Sequence, residues 1–310
     1  VNDFRIPLGD WVESLVQFVT KYFSDVFGAI RTVFKGAYDA LDWILATPPF
    51  WAVILVLAVI ALLVKGVPFA IGSVVGLGLI VAVGQWDYAM DSLALVIVAS
   101  VIAVLLSIPI GILAAKSRAA STIIRPILDF MQTMPAFVYL IPALILFRVG
   151  VVPGIVATII FALAPGVRLT ELGIRGVDQE VVEAGKAFGS SPGRILRQIE
   201  LPLAMPTIMA GVNQVIMLAL SMVVIAGMVG AGGLGGQVVA SLNRIDIALG
   251  FEAGLSVVIL AIFLDRLTAA FGNGGSFLSR FLGRRRPNGI TQEAEVAAVG
   301  EGSKRPIAVP

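Results

Sequence analysis

Leu93 to Ala115 reads LALVIVASVIAVLLSIPIGILAA, an apolar run without one charged side chain. As a helix rising 1.5 Å per residue it would extend about 35 Å, enough to cross the ~30 Å hydrocarbon layer of a bilayer. Lipid offers no partner to a free amide or carbonyl, so such a run must hydrogen-bond within itself, as helix. The rest of the chain agrees. Of its 310 residues 58% are hydrophobic and 14% charged, with a mean hydropathy of +0.98; a soluble domain carries about 25% charged residues. FWAVILVLAVIALLV, from Phe50 to Val64, is a second run of the same kind. The fold class that follows is all-α: a polytopic helical membrane protein.

Working outward, apolar stretches predict about seven transmembrane helices, at 50–64, 67–84, 90–115, 124–147, 152–172, 204–228 and 251–271, the fourth interrupted by Pro126 and Pro135. Lysine and arginine collect on the cytoplasmic side of membrane proteins. Here Lys65 follows the first span, Lys116 and Arg118 the third, and Arg175, Lys186, Arg194 and Arg197 the fifth. Arg280 and Arg284 to Arg286 follow the last, whereas the alternate links hold only Arg148 and Arg244. The N-terminus is therefore expected outside and the C-terminus inside. Residues 1–48 form an expected extracytoplasmic tail, 49–88 peripheral helices, 89–272 the core and 273–310 a disordered cytoplasmic tail around RRRPNG. In the first tail Trp11, Leu15, Phe18, Tyr22, Val26, Ile30, Val33, Ala37, Leu41 and Ile44 recur at helical spacing. That amphipathic face fits packing on the protein itself or lying in the membrane interface. The opening VNDFRIPLGDW lacks the basic start and apolar core of a secretory leader, so no cleaved leader is expected.

The chain has no cysteine and no histidine, which removes disulfides, thiol nucleophiles, haem ligation and nearly every transition-metal site. No metal site and no catalytic residue is expected, because the serines and threonines have no base beside them. No G-x-x-x-x-G-K-[ST] phosphate loop is present. GAGGLG does contain a G-x-G-x-x-G at Gly230, Gly232 and Gly235, but it follows a membrane helix rather than a strand. Close backbone packing or a flexible external turn accounts for it. The centres of spans one to four and six carry no carboxylate, and Glu171, Glu252, Asp265 and Arg266 lie near span ends. Arg168 and Glu171, three apart, are placed to pair along one turn. No proton relay of a secondary transporter is visible.

One polar interruption remains, VVEAGKAFGSSPGRILRQIELP from Val181 to Pro202. Asp178 is an expected N-cap for QEVVEAGKAF, with Gly189 its left-handed stop. Ser191 then caps a second helix with Pro192 at its first position, and Pro202 follows its end. Val181, Ala184 and Phe188 form an apolar ridge on the first helix. From these residues alone the segment is either a loop folded onto the bundle or a surface for a partner.

The spacing resembles the EAA loop of importer-type ABC permeases, whose pattern is E-A-A, three residues, G, nine residues, I-x-L-P. Here Glu183, Ala184 and Gly185 are followed at those intervals by Gly189 and then Ile199, Glu200, Leu201 and Pro202; Gly185 departs from the second alanine. A glycine there loosens a helix by about 1 kcal/mol relative to alanine. In that family the loop docks in a groove of a separate ATP-binding subunit. The resemblance therefore implies ATPase coupling through Glu183, Ala184, Gly185, Phe188, Gly189, Ile199, Leu201 and Pro202. It also implies that ATP and Mg are bound by the partner, with no cofactor in this chain.

MQTMPAFVYLIPALILF (131–147), LPLAMPTIMAGVNQVIMLALSMVVIAGMVGAGGLG (201–235) and ILAIFLDRLTAAFG (259–272) resemble the permease of glycine betaine/proline-type importers, a likeness covering about 85–272. It implies the type I ABC importer permease core in a bacterial inner membrane. The implied partners are a second copy of the chain, two ATP-binding cassette subunits and an extracytoplasmic substrate-binding protein. The implied cargo is a quaternary amine or related compatible solute: glycine betaine, proline betaine, choline, carnitine or trimethylamine N-oxide. An ABC permease for amino acids such as methionine and an ion-coupled secondary transporter are the alternatives. For the path, Phe130, Phe137 and Tyr139 are candidates for cation–π contact with methylated ammonium. Asn213, Gln214, Met217, Ser221 and Met222 are candidates on span six. Asn213, Met217 and Ser221 share one helical face, where polar groups either line a cavity or bond neighbouring helices.

Overall fold

The computed structural model describes residues 7–272; the tail expected at 273–310, with its arginine run, lies outside the described residues. The described chain is helical throughout, with no strand among the described residues. Its elements are α1 (Leu8–Tyr22), α2 (Ser24–Ala46), α3 (Phe50–Lys65), α4 (Val67–Ala82), α5 (Trp86–Lys116), α6 (Arg118–Thr133), α7 (Ala136–Phe147) and α8 (Val151–Arg175). There follow α9 (Gln179–Ala187), α10 (Pro192–Ile195), α11 (Leu201–Ser221), α12 (Val223–Met228), α13 (Gly233–Arg244) and α14 (Ile247–Gly272).

Among the described residues, four helical runs are long and apolar enough to cross a membrane: α5, α8, the stretch Pro192–Met228 and α14. They carry the spans expected at 90–115, 152–172, 204–228 and 251–271. The expected spans at 50–64 and 67–84 correspond to α3 and α4, which pack on one another but at sixteen residues and about 24 Å each fall short of the ~30 Å layer. The expected seven spans therefore become four, or up to six if the bent pairs α2–α3 and α6–α7 each count as one. The single span expected at 124–147 is corrected: α6 and α7 meet at 98°. Pro135 causes the break, because its ring forces Met134 out of the helical region to φ −71°, ψ 135°. Tyr139 braces the corner, its hydroxyl reaching the carbonyl oxygens of Met131 at 2.7 Å and Met134 at 2.9 Å.

The amphipathic stretch expected in the tail at 1–48 is two helices, α1 and α2, broken at Phe23. Its two halves differ. Trp11, Leu15, Phe18, Tyr22 and Val26 are exposed, whereas Tyr38, Leu41 and Leu45 pack into the core beside Leu93, Val96 and Leu220. The helix thus serves its own protein at one end and offers a bare apolar face at the other.

The core is built on α5, α8 and α11. A Cβ at Gly111 of α5 would stand 2.5 Å from the Thr170 Cβ of α8, so glycine is what lets those two helices close. At one end of the bundle Lys116 pairs with Glu200, and the Arg175 Nη2 donates to the Ala114 carbonyl at 2.9 Å. At the other end the Gly150 amide donates to the Val229 carbonyl at 3.1 Å and the Leu234 amide to the Ser92 Oγ at 2.8 Å. The cationic links thus gather at the first end, the one expected inside. GAGGLG turns into α13 and is close-packed there: a Cβ on Gly235, in the first turn of that helix, would meet the Val223 carbonyl oxygen at 2.0 Å.

Candidate functional site

The polar interruption folds as a hairpin at the cationic end. The Asp178 Oδ1 accepts the Glu180 amide at 2.9 Å and starts α9. Gly189 stops it at φ +72°, with the Gly189 amide on the Lys186 carbonyl (2.9 Å) and the Ser190 amide on the Gly185 carbonyl (3.1 Å). That pair of bonds is a Schellman closure, which consumes carbonyls the helix end would otherwise leave open. Ser191 precedes α10 as expected, but its hydroxyl makes no capping bond. Pro202 does not end the second helix. A π-helical turn over Leu196–Glu200 carries α10 straight into α11, with the Leu201 amide on the Leu196 carbonyl. The wider turn shifts the carbonyl row that a proline ring would otherwise strike, so Pro202 is accommodated.

The hairpin has two faces. Val182 and Ile195 are buried with Ile174, Val177, Ala204 and Ile208, and the partly buried Ile199 and Leu201 complete that cluster. Gly185 is buried among them: a Cβ there would sit 2.7 Å from the Ile199 Cδ1. An alanine fits here only if the terminal methyl of Ile199 turns aside. On the other face Glu183, Ala184, Gly189 and Pro202 are exposed, with Val181 beside them. Phe188 is 90% exposed, more than any other large apolar side chain among the described residues. Glu200, inside the motif but not singled out by the sequence reading, is buried and anchors the hairpin to Lys116 of α5.

The candidates for the path are dispersed. The Asn213 Nδ2 donates to the Asp265 Oδ1 at 3.0 Å and its Oδ1 accepts from the Thr268 Oγ1 at 2.5 Å, a polar clasp between α11 and α14. Met217, Gln214 and Ser221 are exposed, and the Ser221 hydroxyl donates to the Met217 carbonyl one turn back. Met222 is buried with Leu140, Ala157 and Val229. Phe130 and Phe137 are exposed, while Tyr139 is buried at the α6–α7 corner.

A charged cluster lies between α6 and α8, and its α6 members were passed over in sequence. Arg168 pairs with Asp129, not with Glu171 as the one-turn spacing suggested. Glu171 is buried and takes the Ser121 Oγ at 2.8 Å, the Arg125 Nη2 at 2.9 Å and the Arg175 Nε at 3.0 Å. The clue in sequence was Arg125 and Asp129, one turn apart inside the apolar stretch that was read as span four.

Residues 107–274 match the family model described as "Binding-protein-dependent transport system inner membrane component". The chain is 47% identical over 281 residues to the glycine betaine/proline betaine transport system permease protein ProW of Escherichia coli K12, covering 91% of this chain and 78% of that one. It is 48% identical over 270 residues to the glycine betaine/carnitine transport permease protein GbuB of Listeria monocytogenes, covering 86% and 95%. More distant relatives are named for trimethylamine N-oxide and choline transport. Among solved structures, an inward-facing form of the MetNI methionine ABC transporter superposes with a TM-score of 0.57, covering 61% of this chain and 95% of that one. At 20% identity that likeness concerns the fold alone.

Proposed function

The chain belongs to the family of binding-protein-dependent transport system inner-membrane components, and on that premise we propose that it is the permease of an ATP-driven importer of quaternary-amine compatible solutes. Glycine betaine heads the range, because it is in the names of both relatives that share nearly half its residues, beside proline betaine in one and carnitine in the other. The core permease unit is taken as 89–272, with the coupling loop at 178–202. Its partners are an ATP-binding cassette subunit and an extracytoplasmic binding protein; the stoichiometry proposed is two copies each of permease and ATPase. The chain itself hydrolyses nothing, and ATP with its Mg sits on the partner.

The observation that carries this reading is the outward ridge of the hairpin. Phe188 stands free of its own protein at the end of α9, whose other face is buried, on a hairpin whose second arm is tied by the Lys116–Glu200 pair. An amphipathic helix fixed on one face and bare on the other fits a groove, and a fixed helix passes rigid-body motion to the spans behind it. Phe188, Glu183 and Ala184 make the contact; Gly185, Gly189, Ile199, Leu201 and Pro202 hold its shape. Met217 and Ser221, with Phe137, line the solute path, while Asn213 and Tyr139 brace its walls from behind.

Reconstitution tests it. The permease, its ATPase and its binding protein in proteoliposomes should take up glycine betaine only with ATP, and the permease alone should show no ATP turnover. Uptake driven by an ion gradient without the ATPase would overturn the proposal and favour a secondary transporter. A preference for methionine would overturn the solute class alone.

A further inference from the structure

The α6–α8 cluster is hard to reconcile with a lipid-facing surface. The exposed residues of α6 divide into two stripes. Thr122, Arg125, Asp129 and Thr133 recur at steps of three and four, and Ile123, Ile127 and Phe130 form a separate apolar stripe beside them. From α8, Arg168, Leu172 and Arg175 face the polar stripe, and the groove between encloses about 350 Å³. Arg168 lies seven residues, about 10 Å along the axis, before the cationic end of α8, inside a helix long and apolar enough to cross a membrane. Even so, the side chains of Arg168 and Asp129 are 41% and 64% exposed on the isolated chain. Charged side chains within a membrane span face a bundle interior or water rather than lipid.

Something polar therefore covers this groove. A dry seam against a second copy is disfavoured, since the arginine N–H groups and carboxylate oxygens not used in the pairs would be stripped of water without partners. Water meets all of them. We infer that the charged groove between α6 and α8 is the water-filled inner mouth of the solute path, open when the permease faces the cytoplasm and closed when ATP drives it outward. This rests on the importer reading above and adds to it a wall of fixed charges of both signs. Such a wall suits a zwitterion, whose two poles each find an opposite charge on the way out.

The chain has no cysteine, so single thiols can be placed without background. Leu172→Cys reports the groove itself, and Thr122→Cys and Thr133→Cys the polar stripe of α6 that continues it on either side, all leaving every ion pair intact; Ile123→Cys and Ile127→Cys report the neighbouring apolar stripe. The complex with its ATPase, in nanodiscs, is treated with a membrane-impermeant, positively charged methanethiosulfonate. Without nucleotide, groove thiols should react about tenfold or more faster than the apolar stripe, because only hydrated thiols ionise readily. Trapping with ATP and vanadate should slow the groove by a similar factor. Equal rates on the two stripes, groove thiols inert in both states, rates indifferent to ATP, or disulfides forming between copies would each overturn the inference. Failure of the cysteine-free parent to assemble with the ATPase, or to import with ATP, would instead count against the importer reading.

Discussion

Replacing Phe188 by alanine separates the proposed docking face from the fold. The ring is 90% exposed on the free permease, so its own protein gains almost nothing from it. Moving a phenylalanine side chain from water into an apolar groove stabilises by about 1.5–3 kcal/mol. Taking about 2 kcal/mol, Phe188→Ala should weaken each permease–ATPase contact about thirtyfold. Val182, on the same helix but 5% exposed, gives the opposite expectation. Val182→Ala should cost the permease about 2 kcal/mol of stability by removing buried methyl groups, with its docking ridge unchanged. Titrating ATPase onto permease nanodiscs gives the dissociation constant, and the unfolding midpoint of the permease alone gives the stability. An unchanged dissociation constant for Phe188→Ala, or a lowered midpoint, would refute the assignment of the two faces.

At Gly185 the family's alanine can be restored. Gly185→Ala should change stability by no more than about 1 kcal/mol, since the helix gains propensity while the terminal methyl of Ile199 has to turn aside. Gly185→Val should lower stability by about 1–3 kcal/mol through overpacking, read from the unfolding midpoint. Glu171→Gln should cost about 2 kcal/mol by leaving Arg125 and Arg175 without their shared anion, below the usual loss for a broken buried pair because both guanidiniums reach water. Tyr139→Phe should cost about 1 kcal/mol and speed hydrogen exchange in the first turn of α7, where the hydroxyl closes the corner.

How far the sequence carried depends on whether the information was local. Asp178 and Gly189 bracket α9 because a carboxylate cap and a left-handed glycine act within a few residues. The uninterrupted run after Leu93 could only be a membrane helix. Prolines were a harder case. Pro109, Pro126, Pro142, Pro165 and Pro206 all lie inside helices, whereas Pro135 turns the chain through 98°. Which proline breaks a helix depends on what receives the freed carbonyls, and here that was Tyr139. Pro202 looks like a stop in the string, but the π turn that precedes it, between the buried Ile195 and Glu200, carries the helix through. Ion-pair partners were equally hidden. Arg168 chose Asp129 across two helices over Glu171 one turn away, and no spacing rule contains that distance.

The absence of a break at Pro202 has a mechanical consequence. The second arm of the hairpin and the span behind it form one helical run from Pro192 to Met228, 37 residues and about 55 Å end to end. Under the proposed coupling, such a rod acts as a lever driven from its hairpin end. If the hairpin tilts by about 10° around that end, the far tip sweeps about 10 Å, wide enough to open or shut a passage for a small molecule. The π turn at Leu196–Glu200 lies next to the pivot, where any slack in the rod costs the most travel at the tip. The stiffness of those five residues would therefore govern how much of each stroke reaches the outer leaflet.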